Sequence, residues 1–521
     1  MKRIFKIFLI LVLIFSDQAF GQNISDGLNY SSNSLEGTAR FNSMSGAFGA
    51  LGGDLSAIAV NPAGSAVFNN GHFSLSFGSD KKANQASLLN SSNSFDKKNI
   101  TLNQIGGIIN FENLDNKEKW NKLTLGITYN QSKNNFDEFS IFNISNNNSI
   151  DSYFLNNAQG LRLDQISAFE NETITEAYVD IGNIYGYAHQ QAFLGYESFI
   201  LEPNDFSDDN SSYYSNVPAG TFNQSYRSIS RGYNGKLTAN IGLQYNKNIF
   251  FGINLNSHFI DFDNYTILNE TNNNVEPGQF GINQIYFENR LSTFGEGFSA
   301  QFGVISKISD VIRFGFSYDT PTWFEISEET RQYLETSMVN EDSEVSLLII
   351  NPNAINIYED YTLQTPSKIT VSSAFVFKNF GLFSFDYSRR DYSSMKFKPD
   401  NDNYFNDLNQ EITYRLKEVN TLRIGAEILA NKFSFRGGYM IEDSPYKSLN
   451  NEIPDIDNNI DESTSGFSLG LGYKMNQSTV DLSFVKLNKS KYKRLYDTGL
   501  TNQVNLKSRN TALTISISTI F

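Results

Sequence analysis

From His72 to the end of the chain, apolar and polar residues alternate in short blocks. Phe73, Leu75 and Phe77 open the series. Leu123, Leu125, Ile127 and Tyr129 interleave with Thr124, Gly126 and Thr128, and the same rhythm returns at Leu237 to Tyr245, Phe298 to Val304, Leu422 to Ile428, Phe467 to Tyr473 and Leu513 to Ile517. A period of two predicts β-strands with one apolar and one small polar face. There are about fourteen such blocks. Short connections at Asn246–Asn248, Ser309–Asp310, Asn379–Gly381, Asn431–Lys432 and Asn476–Gln477 alternate with long polar stretches at 133–231, 264–292 and 397–411. Soluble sandwiches also alternate along their strands. Short turns opposite long loops, tyrosines at strand ends (Tyr129, Tyr245, Tyr318, Tyr473) and a last strand ending on Phe521 point instead to an all-β, transmembrane antiparallel β-barrel of about fourteen strands.

The first 71 residues do not share this pattern. Lys2, Arg3 and Lys6, an apolar run from Ile7 to Phe15, and Ala19-Phe20-Gly21 make residues 1–21 a cleaved secretory signal. The run is too short to cross ~30 Å of hydrocarbon. Residues 22–71 are read as an N-terminal segment and hatch, and 72–521 as the barrel. The stretch 37–68 is rich in glycine and alanine and lacks any sustained period. Glycines make it a poor strand and a poor helix, while small side chains let backbones approach closely. It is expected to fill the barrel as a compact plug.

Charge narrows the function further. The chain carries a net charge of -15 and no cysteine. No basic face is available for nucleic acid, and disulfides, thiol catalysis and thiolate metal sites are excluded. Arg313, Arg423 and Arg436 fall on the polar, lumenal phase of their strands, as do Asp386, Glu427 and Asp481. They suit either a wet lumen or a network that holds the plug. Within 133–231, Thr173-x-x-Glu176 is a capping-box pattern. Ile174, Tyr178, Ile181 and Tyr185 follow at helical spacing. This predicts an amphipathic helix over the barrel mouth, packed on its own loop or offering an apolar landing surface to cargo. Gly466-Phe467-Ser468-Leu469-Gly470 copies a hydrolase elbow but lies within a strand pattern, so no enzyme is expected. Asp455-x-Asp457-x-Asn459 opens like a calcium loop but lacks its glycine and its final glutamate. His72, His189 and His258 are scattered, and no cofactor is expected.

Ser34-x-x-Gly37-x-Ala39-Arg40, then Gly46-Ala47 and Asn61-Pro62-Ala63 just before the first strand, together resemble the N-terminal hatch of the FadL/TodX family of outer-membrane transport proteins. The resemblance implies a monomeric fourteen-stranded barrel. It implies passive uptake of hydrophobic small molecules, long-chain fatty acids or aromatic hydrocarbons, with a lateral path through the wall once the hatch moves. Partners would be that cargo, outer-membrane lipid and, through the strand ending in Phe521, the barrel-assembly machinery. Gating is assigned to Asn61, Pro62, Ala63 and Gly64. Proline fixes φ and removes a donor, biasing Asn61 away from helix, and Gly64 permits a cheap reversal into the first strand. Ile174, Tyr178, Ile181 and Tyr185 are the candidate cargo contacts. The alternative is a surface adhesin or receptor whose long loops bind external partners.

Overall fold

A computed structural model describes residues 23–88, 91–113, 118–447 and 461–521. The leader at 1–21 and the calcium-like stretch at 455–459 lie outside them. The chain opens with two short helices, α1 (Ile24–Ser31) and α2 (Ala39–Ser43), and two 3₁₀ turns, Ser56–Ala59 and Pro62–Val67. Fourteen antiparallel strands then form a closed barrel. They are β1 (His72–Leu88), β2 (Ser91–Glu112), β3 (Trp120–Asn134, resuming at Asp137–Asn146), β4 (Thr221–Tyr245), β5 (Ile249–Asn272), β6 (Gly281–Lys307) and β7 (Ile312–Asp319, resuming at Trp323–Val339). Next comes β8, which descends in pieces from Val345–Ile350 to Lys368–Phe377. The rest are β9 (Gly381–Asp391), β10 (Glu418–Ala430), β11 (Phe433–Glu442), β12 (Thr464–Met475), β13 (Ser478–Arg494) and β14 (Gln503–Ile520). Closure is continuous from His72↔Ile520 to Ser87↔Asn505 between β1 and β14.

The polarity is inverted relative to a soluble protein. Phe77, Ile127, Ile241, Phe302, Phe316, Phe435, Leu469 and Ile515 are exposed, while their neighbours Ser76, Thr128, Asn240, Gln301, Ser317, Arg436, Ser468 and Thr514 are buried. An outer face of this kind is stable only against hydrocarbon. Aromatic clusters mark the edges of the band. Trp120 meets Tyr245 at 5.0 Å near the short turns, and Phe433 meets Tyr473 at 5.0 Å. Tyr129 and Tyr233 flank Phe259 at the other edge, at 6.1 and 5.9 Å. The short turns carry Asn246, Lys247, Asn379, Asn431 and Asn476 at positive φ, the left-handed backbone that tight hairpins require. The chain is a multi-pass β-barrel of the bacterial outer membrane.

The long connections are shorter than the sequence suggests. Strand β3 resumes across Asp137–Asn146 and β4 begins at Thr221, so only 147–220 of the expected 133–231 loop lies between strands. The expected loop at 264–292 is β5 and β6 except for 273–280, and the one at 397–411 is mostly a helix, Asn403–Arg415. Beyond the bilayer both faces of a strand can be polar, so the apolar rhythm fades while the ladder continues. Residues 147–220 fold into α3 (Asp151–Ala158), α4 (Ile174–Tyr185), α5 (Tyr187–Glu197) and a small hairpin, Leu201–Pro203 with Tyr213–Ser215. These pack with the tall strands around Phe154, Phe193, Leu194 and Phe287 into an extracellular dome.

Arginine on the lipid face should be costly according to depth. Ile515→Arg, mid-band on β14, is expected to lower stability by ~2–4 kcal/mol in urea unfolding from liposomes. Thr511→Arg, one outward position below the native Arg509, is expected to cost less than ~1 kcal/mol.

Candidate functional site: the hatch and the lumen above it

The N-terminal segment enters the lumen with α1. Its helix starts with a capping box, in which the Asp26 amide donates to Asn23 Oδ1 at 3.1 Å and the Asn23 amide donates to Asp26 Oδ2 at 3.2 Å. Wall side chains fasten this helix. Tyr30 Oη lies 2.9 Å from Thr293 Oγ1, Arg390 donates to Ser31 O at 2.9 Å, and Lys133 Nζ donates to Asn29 and Ser32.

Below it, residues 37–68 fill the barrel. Thr38 caps α2 and holds Asp54 through Oγ1 at 2.7 Å. Arg40 forks onto Glu427, both contacts at 3.0 Å, and donates to Gly53 O at 3.1 Å. Arg436 joins the same Glu427 at 2.5 Å and reaches Asp481 at 2.6 Å. Asp386 accepts from the Gly49 amide at 2.9 Å, and Arg313 donates to Leu51 O at 3.0 Å. Five of the six lumenal charges singled out in the sequence therefore hold the plug, directly or through Glu427. The sixth, Arg423, lines the cavity above.

The Asn-Pro-Ala segment is a second point of attachment between hatch and wall. The Asn61 side chain donates to Gly49 O at 2.7 Å and to Val304 O of the wall at 3.1 Å, and accepts from the Ala63 amide at 3.1 Å. Pro62 starts the second 3₁₀ turn, and its carbonyl accepts from wall Asn240 at 3.0 Å. Ala63 is fully buried. Gly64 packs against Gly52, where a Cβ would meet the Gly64 Cα at 2.8 Å. These residues bridge the plug to the wall.

Sequence reasoning did not identify the other half of this seat. Glycines of β4, β5, β6, β7, β11 and β12 face inward against the hatch: a Cβ at Gly252 would lie 2.2 Å from Pro62, at Gly303 2.0 Å from Asn61, at Gly315 2.1 Å from Gly49, and at Gly470 2.3 Å from Ser43. Gly242 and Gly438 press on Ser65 and Met44 in the same way. The available signal was glycine recurring in the polar phase of the strands. Ser468, centre of the hydrolase-like pattern, lies within β12 and bonds Ser45 at 2.8 Å and Ser43 O at 2.9 Å.

Above the hatch lies a cavity of about 1060 Å³, bounded by α1, the wall and the dome. Lys82, Lys133, Lys489, Lys491 and Lys493 share its lining with Tyr153, Tyr187, Tyr226 and Tyr496 and with carboxylates that include Asp26, Glu36, Glu328, Glu442 and Asp497. The cavity reaches a break in the wall, through Lys97, Asn134, Asn135 and Phe136. There the β2–β3 ladder ends at Gln104↔Asn130. Above that rung β2 pairs only with β1, and the upper part of β3 only with β4. Side chains alone bridge the seam: Asn93 donates to Ser140 Oγ at 2.9 Å and Lys97 to Glu138 at 2.8 Å. Buried polar atoms of Asn103, Gln104, Asn130 and Asn135 beside it lack partners.

The predicted helix is α4, with its capping box between Thr173 and Glu176. Tyr178 is 1% exposed and Ile181 7%; Ile174 and Tyr185 pack partly against the same dome core. The Tyr178 hydroxyl donates to Gln332 at 2.7 Å. The stripe faces the dome's interior, and none of the four residues lines the cavity. Tyr153 and Tyr187, on α3 and α5, do.

Two outcomes follow. Glu427→Ala strands Arg40 and Arg436 without their shared carboxylate and should loosen hatch docking by ~3–5 kcal/mol, read as faster hydrogen exchange over 37–68 with barrel protection retained. Asp26 faces the cavity deep in the lumen, and burial pushes its carboxyl up to about 8. The docked form thus holds a proton that the free segment releases near pH 4, so docking is strongest below that pH and weakens as pH rises through 8. Exchange over 24–31 should accelerate from pH 5 to pH 9, after correction for intrinsic rates, and Asp26→Asn should abolish the trend.

No family model matches the sequence, and a search of curated proteins finds no relative. Solved structures do match. A FadL homologue of Pseudomonas aeruginosa aligns over 94% of this chain and 100% of its own, at 10% identity and a TM-score of 0.54. The toluene transporter TodX of Pseudomonas putida aligns over 94% of this chain and 99% of its own, at 13% identity and a TM-score of 0.50. With its fourteen strands and a lumen stoppered by its own N-terminal segment, the chain shares the fold of this FadL homologue and of TodX.

Proposed function

We propose that the protein is a passive outer-membrane channel for a hydrophobic small molecule bearing an acid group, such as a long-chain fatty acid. The observation that carries this reading is the cavity above the hatch, where carboxylates and lysines both occur, three of the lysines follow one another on β13 among tyrosines, and the lining runs to an unladdered seam in the wall. The FadL homologue and the toluene transporter share the fold, and the lysines favour an acid over a bare hydrocarbon. Among the described residues, Lys489, Lys491 and Lys493 form no ion pair, so a carboxylate entering the cavity meets cations not already neutralised at contact distance.

In this reading the dome roofs the cavity, and the stripe of Ile174, Tyr178, Ile181 and Tyr185 gives the roof its packing. Cargo leaves water for the tyrosine-lined wall, gaining about 25 cal/mol per Å² of apolar surface buried. Its carboxylate settles among the lysines. Displacement of the segment Asn61 to Gly64 frees the lower lumen, while the seam between β2 and β3, which opens just above the aromatic edge at Tyr129, offers a sideways passage into the cavity. Transport follows the gradient.

Because the native chain has no cysteine, an Asn93→Cys/Ser140→Cys pair places a single disulfide across the seam. In proteoliposomes, oxidation should slow fluorescent palmitate entry about tenfold, and reductant should restore it. Equal uptake in the two states removes the seam from the path. Uptake no faster than through empty vesicles removes the channel itself, and leaves the dome as a surface receptor.

A further inference from the structure

We propose that the lipid-facing wall carries a seat for one acyl chain of a bilayer phospholipid, in a groove that crosses β1 to β5. The register places Phe73, Gly107, Ile127, Ala239 and Leu255 side by side on the outer face. Gly107 and Ala239 are small where their neighbours are large, and the dents they leave merge into a groove of about 620 Å³ with Phe521 on its rim. Asn240 is the only polar residue in the lining, and its amide turns inward to Pro62 O at 3.0 Å and Asn254 at 2.7 Å.

The location selects the occupant. These strand positions lie within the apolar band, at the level of the hatch, where no water competes to fill a dent. An empty groove there would forfeit the dispersion contacts of its walls. Nothing reaches it from the lumen. The rungs Gly107↔Ile127 and Ile127↔Ala239 are intact, and Ile108 behind them is buried against Leu55, Ile58 and Phe68 of the hatch. The groove is therefore continuous with the bilayer and sealed from the cargo cavity, so its occupant is lipid. Asn240, which floors the groove, also holds the carbonyl of Pro62, so seated lipid and hatch lie back to back across a wall one strand thick.

The seat does not depend on what the barrel carries. The test uses the full-length protein in nanodiscs of phosphatidylethanolamine bearing a mid-chain diazirine, with photoadducts mapped by mass spectrometry. Adducts should be about fivefold enriched over the groove relative to the opposite wall around Val371 and Phe383. Ala239→Leu, alone or with Gly107→Leu, should abolish the enrichment. Gly107 has no atom closer than 3.4 Å to an added Cβ, so the larger side chain turns into the groove. Val371→Leu should leave the enrichment intact, and unboiled migration on gels reports folding of each variant. Uniform labelling, or enrichment that survives filling, overturns the proposal. So does equal labelling of the groove by diazirine-palmitate added from outside to protein in unlabelled lipid, which would assign it to cargo.

Discussion

Hydrocarbon offers no hydrogen bonds, and that absence dictates the architecture. Each strand that enters the bilayer must satisfy its backbone on both sides, so the sheet has to close on itself. Closure from His72 to Ser87 against β14 meets the demand and sends the small polar side chains inward. A lumen lined by serine, threonine and asparagine is wet and would leak. The chain's own beginning fills it, and a plug in such a lumen must bring polar partners for the wall it covers.

The attachment of that plug is uneven. On one side Arg40, Glu427, Arg436 and Asp481 form a buried chain of alternating charge. Removing two such ions from water costs several kcal/mol each, and only good geometry and mutual pairing offset it. Here each carboxylate has an arginine and Glu427 has two, so the network locates the hatch more than it stabilises the fold. On the other side Asn61 and Pro62 meet the wall through ordinary hydrogen bonds to Val304 and from Asn240. Two anchors of different strength fix the orientation of a segment with little secondary structure of its own.

The barrel was legible from the sequence because the bilayer enforces a strict period of two within it. Outside the bilayer that enforcement ends. Strands such as β5 beyond Asp263, or β3 after Asn134, bear polar residues on both faces and look like loops. Nothing in Asn61-Pro62-Ala63 foretold that segment's hydrogen bonds to the wall, but the plug was legible by default, as a glycine-rich stretch that fits no period. Its helices were not, since α2 has only five residues and the turns are 3₁₀. The α4 helix was announced by its capping box, yet one sequence cannot say whether an amphipathic stripe faces a partner or a core. The cavity lysines lie on β13 in the phase of its lumenal face, but their convergence with Lys133 and Lys82 depends on barrel closure.

The inward glycines give the plug an unusual bearing surface. Most packed segments interlock through side chains, and dislodging them means lifting knobs out of holes. At Gly252 and Gly315 hatch backbone rests on wall backbone, and at Gly303 and Gly470 the Asn61 and Ser43 side chains take the space a Cβ would fill. Such a contact resists compression but offers little friction to sliding along the barrel axis. The stopper is therefore held by its polar fastenings together with the apolar contacts of Met44, Phe48, Ile58 and Phe68, and not by its glycine-lined seat.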